Sequence, residues 1–204
     1  MSQNPMAAPD FLQESDPVRL LSQWWKDAGV AEYRDPNAAQ VATVDATGLP
    51  NVRTVLIKEA EAEGFVFYTN TMSAKGRELG TSPKAALVLY WKSLSRQIRV
   101  RGGVVSVSAD EADAYFATRP RDAQLGAWAS DQSREMPGRG EFERRFDEIE
   151  RRYKSGAVPR PPYWSGYRLV PAYFEFWQER PFRLHDRLSF ERIGNAWRPF
   201  QLYP

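Results

Sequence analysis

The fold of this chain is restricted above all by strand-like segments that follow one another with short connections. The stretches 39–46 and 52–60 flank the turn-forming residues 47–51, so they predict a β-hairpin. Further strands are predicted at 64–70, 85–91, 97–108, 167–177, 182–193 and 196–203. Because few helices separate these strands, we expect a mainly β fold, an antiparallel barrel with flanking helices.

Helix signals occur at only a few places. Asp16 and Pro17 supply an N-cap and a first-position proline for a helix near the N-terminus. The stretch 108–111, "SADE", is a capping box that opens a helix ending at about residue 118. The apolar residues of 141–156 follow helical spacing. Residues 119–137, rich in small and polar side chains, are expected to be irregular.

Length and composition restrict the domain organisation and the classes of function that this chain can have. The 204 residues are expected to form a disordered arm over 1–15 and a single domain over 16–204. A formal net charge of +2 gives no reason to expect a nucleic-acid partner. The chain has no cysteine and one histidine, which argues against disulfides and a metal site. Without a membrane-spanning run or a signal-peptide pattern, we expect a cytoplasmic protein that does not enter the membrane.

The single histidine, His185, lies between Arg183 and Arg187. On a β-strand all three side chains point to one face, where two guanidinium groups disfavour a third positive charge. A neutral imidazole between two arginines is suited to bind an anionic ligand that contains a ring. The alternative is a solvated strand face with an incidental histidine.

Basic residues elsewhere indicate phosphate binding. Ser73 is a candidate N-cap followed by Lys75, and a helix N-terminus with a lysine is a good phosphate site. The alternative is an ordinary helix start with a solvated lysine. Arg53 and Lys58 would lie on opposite faces of a regular strand. They would bind one ligand only if the strand bulges or if Lys58 lies at its end.

The segment after residue 114 combines aromatic, basic and amide side chains. Tyr115 and Arg119 are four residues apart, so on a helix they share a face that suits a phosphate monoester. Gln132 and Ser133 add polar groups, although the segment could equally be a surface loop. The chain has no recognisable nucleophile motif, no GxGxxG and no P-loop, which leaves the difficult chemistry to a cofactor.

Several stretches, in order, resemble the pyridoxamine (pyridoxine) 5′-phosphate oxidase family over roughly residues 16 to 204. They read "VRTVLIK", "GFVFYTN", "SAKGREL", "WKSLSRQIRVRG", "YFATRPRD", "QLGAWASDQS", "FEFWQ" and "RLHDR". The resemblance implies an antiparallel split β-barrel, the FMN-binding split barrel, that works as a homodimer with FMN in the clefts between subunits. It also implies oxidation of pyridoxamine or pyridoxine 5′-phosphate to pyridoxal 5′-phosphate, with O2 as acceptor and H2O2 as by-product.

The resemblance also implies roles for individual residues. Arg53 and Lys75 would hold the FMN phosphate. The residues that would contact FMN are Arg53, Thr54, Val55, Leu56, Ile57, Lys58, Tyr68, Thr69, Lys75, Gln97, Gln132, Ser133, Trp177 and Arg187. Those that would bind the substrate phosphate are Lys58, Tyr115 and Arg119. Arg183 and His185 would act as catalytic residues over the pyridine ring and its reacting carbon.

The chain departs from the family at residues that concern the substrate. Ala123 stands where a serine usually helps to hold the substrate phosphate, and Ala74 where many members have arginine. Two alternatives therefore remain. One is a related flavin oxidoreductase acting on a different substrate, and the other is a non-catalytic protein that binds FMN or pyridoxal phosphate.

Overall fold

The computed structural model describes residues 10–204, and these form one nine-stranded sheet with helices on its outside. Its strands are β1 (Ala38–Val44), β2 (Pro50–Leu56), β3 (Glu59–Glu61), β4 (Gly64–Asn70), β5 (Lys84–Trp91), β6 (Arg96–Ser106), β7 (Trp164–Gln178), β8 (Asp186–Ile193) and β9 (Ala196–Gln201). Every pairing is antiparallel. The predicted hairpin and the predicted strand-rich architecture are confirmed.

The sheet curls so that its two ends approach each other. The strand order is β2-β1-β5-β6-β7-β4-β3, with β8 and β9 continuing from β7. Just after β2, the backbone N–H of Lys58 donates to the Val66 carbonyl in β4 at 2.7 Å. Because β2 ends at Leu56 and β3 begins at Glu59, two residues connect the strands at the opposite ends of the order, as a barrel requires.

The long strand β7 connects the two halves of the sheet. Its first residues pair with β4, its last residues pair with β8, and it pairs with β6 along most of its length. The ladder between β6 and β7 shifts register at Gly102. A Cβ atom at Gly102 would lie 1.8 Å from the Val170 carbonyl oxygen, so only glycine permits this close approach.

Helix α1 (Pro17–Ala31) covers the main core. The predicted N-cap is confirmed, because the Asp16 side chain accepts a hydrogen bond from the Val18 N–H. Trp24 is buried and meets Phe176 edge-on, with ring centroids 5.3 Å apart. Burial of such aromatic surface is the main stabilising contribution here.

The N-terminal arm differs from the expectation at its end. Residues 1–9 of the predicted arm lie outside the described residues. Asp10–Gln13 form a 3-10 turn, and the Phe11 ring contacts the Trp24 ring at 5.2 Å. Residues 10–13 are therefore structured, because an aromatic contact with α1 offsets the loss of chain entropy.

Four more helices lie outside the sheet. They are α2 (Ala74–Thr81), α3 (Ala109–Ala117), α4 (Arg121–Ala129) and α5 (Arg139–Arg152). The capping box at Ser108 is confirmed, but the prediction that 119–137 is irregular is wrong over α4. Leu125 and Ala129 of α4 are buried in a small second core with Phe116 and Trp164. Of the described helices, none is both long and apolar enough to cross a membrane.

Candidate active site

A cavity of about 330 Å³ opens where the ends of β2 and β4 and the segment after α3 meet the start of β7. It is lined by Thr54, Val55, Leu56, Lys58, Tyr68, Thr69, Lys75, Tyr115, Arg119, Gln132 and Trp164. All of these except Trp164 are residues that the sequence analysis predicts for the site. An adjoining cavity of about 360 Å³ places Arg53 and Ser133 beside Lys75 and Gln132. Ile57 instead lies in the main core and is 1% exposed.

Lys75 is a buried cation at the beginning of α2. Its ammonium group donates hydrogen bonds to Thr69 Oγ1 at 3.0 Å and to Gln132 Oε1 at 3.3 Å. Burial, and then the charge of Arg53, hold the pKa of Lys75 below its ordinary value, while Glu78 partly offsets them. Because the direct partners are neutral oxygens, the ammonium keeps its charge available for an anion at this helix N-terminus.

Arg119 provides a second, half-buried charge. Arg119 lies just beyond the end of α3, so the prediction that it shares a helix face with Tyr115 is wrong. Both residues nevertheless line the cavity. Its guanidinium carbon lies 4.9 Å from the Trp164 ring centroid. Its Nη1 atom is buried without a hydrogen-bond partner among residues 10–204. Burial lowers the pKa of Arg119 below its ordinary value.

Three parallel aromatic rings form one wall of the cavity. Tyr68 stacks on Tyr115 with centroids 4.0 Å apart, and on Trp164 with centroids 5.4 Å apart. Burial raises the pKa of Tyr68 to about 12, so its phenol stays protonated near neutral pH. Lys58 lies past the end of β2, with its Nζ 5.8 Å from the Tyr115 ring centroid. Such flat, cation-bearing surfaces bind ring-containing anions.

The charge balance of this cavity is one-sided. Lys58, Lys75 and Arg119 line it, and within the described part of the chain no carboxylate does. Arg53, in the adjoining cavity, differs because its Nη2 donates to Glu78 Oε2 at 2.9 Å. The arrangement therefore suits a ligand with negative charge, most simply a phosphate.

A second group of predicted residues lies on β6, β7 and β8. Gln97, Trp177 and Arg187 occupy one row, because Gln97 pairs with Trp177 and Trp177 pairs with Arg187. The His185 ring lies 4.7 Å from the Trp177 ring. Glu175, which is buried, accepts hydrogen bonds from two nitrogens of Arg187 at 2.9 and 3.0 Å. Glu175 therefore fixes the direction of the Arg187 side chain.

The prediction that Arg183, His185 and Arg187 share one face of a strand is wrong. Pro181–Arg183 form a 3-10 turn, and β8 begins only at Asp186. Phe182 and Arg183 have φ values of 59° and 60°, a left-handed backbone that interrupts strand alternation. Arg183 is exposed, and His185 Nδ1 accepts a hydrogen bond from the Arg180 N–H at 3.2 Å.

One chain does not bring the two groups together. Trp164, at the cavity, is the first residue of β7, and Trp177 is next to its last residue. At about 3.3 Å per residue, roughly 40 Å of strand separates them. Within residues 10–204, the cavity therefore lacks Gln97, Trp177, Arg183, His185 and Arg187.

Two residues with clear roles in this geometry escape the sequence analysis. Trp164 ends a proline-rich stretch that reads as a linker, so its sequence context carries no signal. Glu78 accepts hydrogen bonds from Asn51 and Arg53 at 2.9 Å each, and from Thr43. The sequence signal for Glu78 is weak: it is an acidic residue in a short helix that begins at a predicted phosphate site.

Comparison with known proteins agrees with this architecture. Residues 26–153 match the family model described as pyridoxamine 5′-phosphate oxidase. Residues 164–204 match the model described as the pyridoxine 5′-phosphate oxidase C-terminal dimerisation region.

Curated relatives cover nearly the whole chain. A pyridoxine/pyridoxamine 5′-phosphate oxidase of Azorhizobium caulinodans is 56% identical over 99% of this chain and 96% of its own length. Another, of Caulobacter vibrioides strain NA1000 / CB15N, is 55% identical over 96% of this chain and 88% of its own length.

Solved structures show the same fold. PhzG from Burkholderia lata 383, in complex with tetrahydrophenazine-1-carboxylic acid, is 34% identical, has a TM-score of 0.90 and covers 98% of both chains. A pyridoxamine 5′-phosphate oxidase-related, FMN-binding protein from Nostoc punctiforme, 18% identical, has a TM-score of 0.73 over 94% of this chain and 100% of its own. The predicted antiparallel split β-barrel is confirmed, and the chain belongs to the pyridoxamine 5′-phosphate oxidase family.

Proposed function

We propose that this protein is an FMN-dependent oxidase that converts pyridoxamine 5′-phosphate and pyridoxine 5′-phosphate to pyridoxal 5′-phosphate. O2 is the electron acceptor and H2O2 the by-product. The observation that carries the proposal is the cavity, which has three cations and an aromatic wall and is lined by no carboxylate from residues 10–204. It suits a phosphorylated aromatic ring, and relatives at 55% and 56% identity bear the name of this activity.

The residues around α2 fit the phosphate of FMN. Lys75 is buried without an ion-pair partner among residues 10–204, and Arg53 faces the same adjoining cavity. The beginning of α2 adds backbone N–H groups and a favourable dipole. Lys75 and Arg53 would hold the phosphate, with Gln132 and Ser133 beside them.

The edge of the cavity fits the rest of the cofactor. The chain from Thr54 to Lys58, with Tyr68 and Thr69, would line the flavin. Ile57 would contribute through its backbone, since its side chain is in the core. When bound, FMN supplies the acceptor for a hydride and passes the electron pair to O2.

The substrate phosphate would bind to Lys58, Tyr115 and Arg119. Arg119 supports this assignment best, because its buried Nη1 has no partner within the described residues and a phosphate oxygen would provide one. The three groups would hold the substrate ring against the flavin and exclude water from the reacting carbon.

The remaining residues would come from a second subunit. We infer a homodimer in which Arg183 and His185 of one chain cover the substrate bound by the other. Gln97, Trp177 and Arg187 of that chain would contact the flavin. The match of residues 164–204 to a dimerisation region supports this arrangement. Because His185 Nδ1 accepts from the Arg180 N–H, Nε2 is the nitrogen that can donate to the substrate.

The reaction balances in both cases. The alcohol and O2 give the aldehyde and H2O2, and the amine, O2 and water give the aldehyde, ammonia and H2O2. The protein contributes mainly by orientation and electrostatics, which can account for a large part of a rate acceleration.

The decisive experiment is turnover by the purified protein loaded with FMN. Aerobic incubation with pyridoxamine 5′-phosphate should yield pyridoxal 5′-phosphate and H2O2 in equal amounts. Unphosphorylated pyridoxamine should be a much poorer substrate, and Arg119→Met should reduce this difference. FMN-loaded protein that forms no pyridoxal 5′-phosphate would overturn the proposal.

A second candidate is a flavin oxidoreductase for a different substrate. Ala123, Gly126 and Ala127 leave a cavity of about 400 Å³ beside Arg119, and a carboxylate could also bind these cations. PhzG, the neighbour crystallised with a phenazine carboxylic acid, shares the fold. Parallel assays with tetrahydrophenazine-1-carboxylic acid distinguish the two activities. Flavin binding without turnover of either compound would indicate a non-catalytic binding protein.

A further inference from the structure

We propose that Trp164 is a positioning residue that holds Arg119 in the direction needed to bind the substrate phosphate. This inference rests on the proposed function, and it concerns a residue outside the predicted site. Trp164 is 6% exposed and lines the cavity through its ring.

Aromatic rings, rather than a carboxylate among the described residues, orient Arg119. Other largely buried arginines are ion paired: Arg53 with Glu78 at 2.9 Å, and Arg160 with Asp113 at 2.6 Å. Arg119 has no ion pair among the described residues. Its guanidinium carbon instead lies 4.9 Å from the Trp164 centroid and 5.5 Å from the Phe116 centroid. Aromatic rings are therefore its principal supports.

An aromatic support leaves the N–H donors of the Arg119 guanidinium free. A carboxylate would occupy the N–H groups of the guanidinium and neutralise its charge. A ring face attracts the charge through its quadrupole and contacts the flat side of the group. The N–H groups lie in the plane of the guanidinium, so a phosphate can still accept from them. Arg119 Nη1, which has no partner among the described residues, is such a donor.

Trp164 is itself held in place through both its backbone and its ring. The Trp164 backbone N–H donates to the Pro161 carbonyl at 3.0 Å, and the Trp164 backbone carbonyl accepts from Arg160 Nη1 at 2.7 Å. Phe116 meets the ring edge-on at 4.9 Å, and Tyr68 stacks on it at 5.4 Å. The stack continues from Tyr68 to Tyr115. Trp164 therefore supports two of the proposed phosphate ligands, Arg119 directly and Tyr115 through Tyr68.

The test compares two replacements of similar length, Trp164→Phe and Trp164→Met. Phenylalanine keeps a ring face under Arg119 and methionine does not. Trp164→Met should raise KM for pyridoxamine 5′-phosphate about tenfold, and Trp164→Phe about threefold or less. The kcat and the FMN content of both variants should stay close to wild type, because the lost interaction acts on binding.

A matched control is Trp128→Met. Trp128 packs in the same small core, and Arg152 lies over its ring at 5.6 Å, but it does not line the cavity. Its variant should leave KM unchanged. Equilibrium dialysis with pyridoxal 5′-phosphate provides a readout that does not depend on turnover, and circular dichroism checks folding.

The possible outcomes are distinct. Absence of turnover by the wild type would refute the proposed function rather than the role of Trp164. With an active wild type, equal KM values for Trp164→Met and Trp164→Phe would overturn the inference. It would also be overturned by a loss of kcat or FMN without a change in KM, or by a similar rise in KM for Trp128→Met.

Discussion

The two groups of proposed site residues lie near opposite ends of β7. This separation predicts that two inactive variants, one altered in each group, restore activity when they form a mixed dimer. The first variant is Arg119→Met, which removes a cation from the cavity and keeps apolar contact with Trp164. The second is Arg183→Ala. Arg183 is exposed and makes no side-chain hydrogen bond or ion pair to another described residue, so its removal should not affect folding.

The magnitude follows from symmetry. If each site takes Arg119 from one chain and Arg183 from the other, a mixed dimer contains one intact site and one doubly altered site. Random pairing of equal amounts makes half of the dimers mixed. Intact sites then amount to about one quarter of all sites, so the mixture should show about 25% of wild-type activity.

The assay uses two differently tagged chains that are co-expressed, purified through both tags and measured at a pyridoxamine 5′-phosphate concentration well below KM. Doubly tagged dimers should reach about half of the wild-type activity, because each has one intact site. Co-expression of Arg119→Met with Lys58→Ala is the control, since both residues line the same cavity. That pair should restore nothing. If the Arg119 and Arg183 variants also restore nothing, each site takes both residues from one chain, and the proposed sharing of the site between subunits is wrong.

The remaining predictions concern three residues near the cavity. Burial raises the pKa of Glu78, but hydrogen bonds from Thr43, Asn51 and Arg53 outweigh it and hold the pKa below its ordinary 4.5. Glu78→Gln should therefore lower the free energy of unfolding by about 2 kcal/mol at neutral pH, and urea titrations should show the difference shrinking as pH falls below about 4.5. Lys75→Met should stabilise the cofactor-free protein by about 1 kcal/mol in thermal unfolding, because it removes a buried charge, and should abolish FMN binding. An unchanged melting temperature would contradict this. Ala123→Ser, which adds a hydroxyl to the cavity beside Arg119, should lower KM for pyridoxamine 5′-phosphate up to about tenfold, since one hydrogen bond contributes about 0.5–1.5 kcal/mol. An unchanged KM would show that the hydroxyl does not reach the phosphate.

Local sequence patterns predict those strands and helices whose conformation depends on residues close in sequence. Alternation gives the strands, and the caps at Asp16 and Ser108 give two helix starts. Helix α4 escapes because its N-cap, Pro120, has no side-chain hydrogen bond to offer, and its buried face is mainly Leu125. Tertiary burial, rather than a local signal, makes this segment helical.

The site shows the same limit. The residues of the cavity are predictable because the resemblance names them, but Trp164 is placed by the fold alone. The left-handed backbone at Phe182 and Arg183 gives no sign in a period-two pattern. No pattern within one chain could show that two groups of residues at the two ends of β7 are far apart in the folded chain, which is the observation behind the proposed shared site.

The contrast between paired and unpaired cations connects the stability of this protein to its proposed activity. Arg53, Arg160 and Arg187 have carboxylate partners, whereas the buried Lys75 and the half-buried Arg119 have none among residues 10–204. Burial of an unpaired charge destabilises the folded state, and a bound phosphate reverses that cost. A phosphorylated ligand would therefore stabilise the fold by an amount that grows with its concentration relative to Kd. Replacing the aromatic support of Arg119 with a carboxylate would stabilise the free protein more, but it would occupy the donors that the phosphate requires.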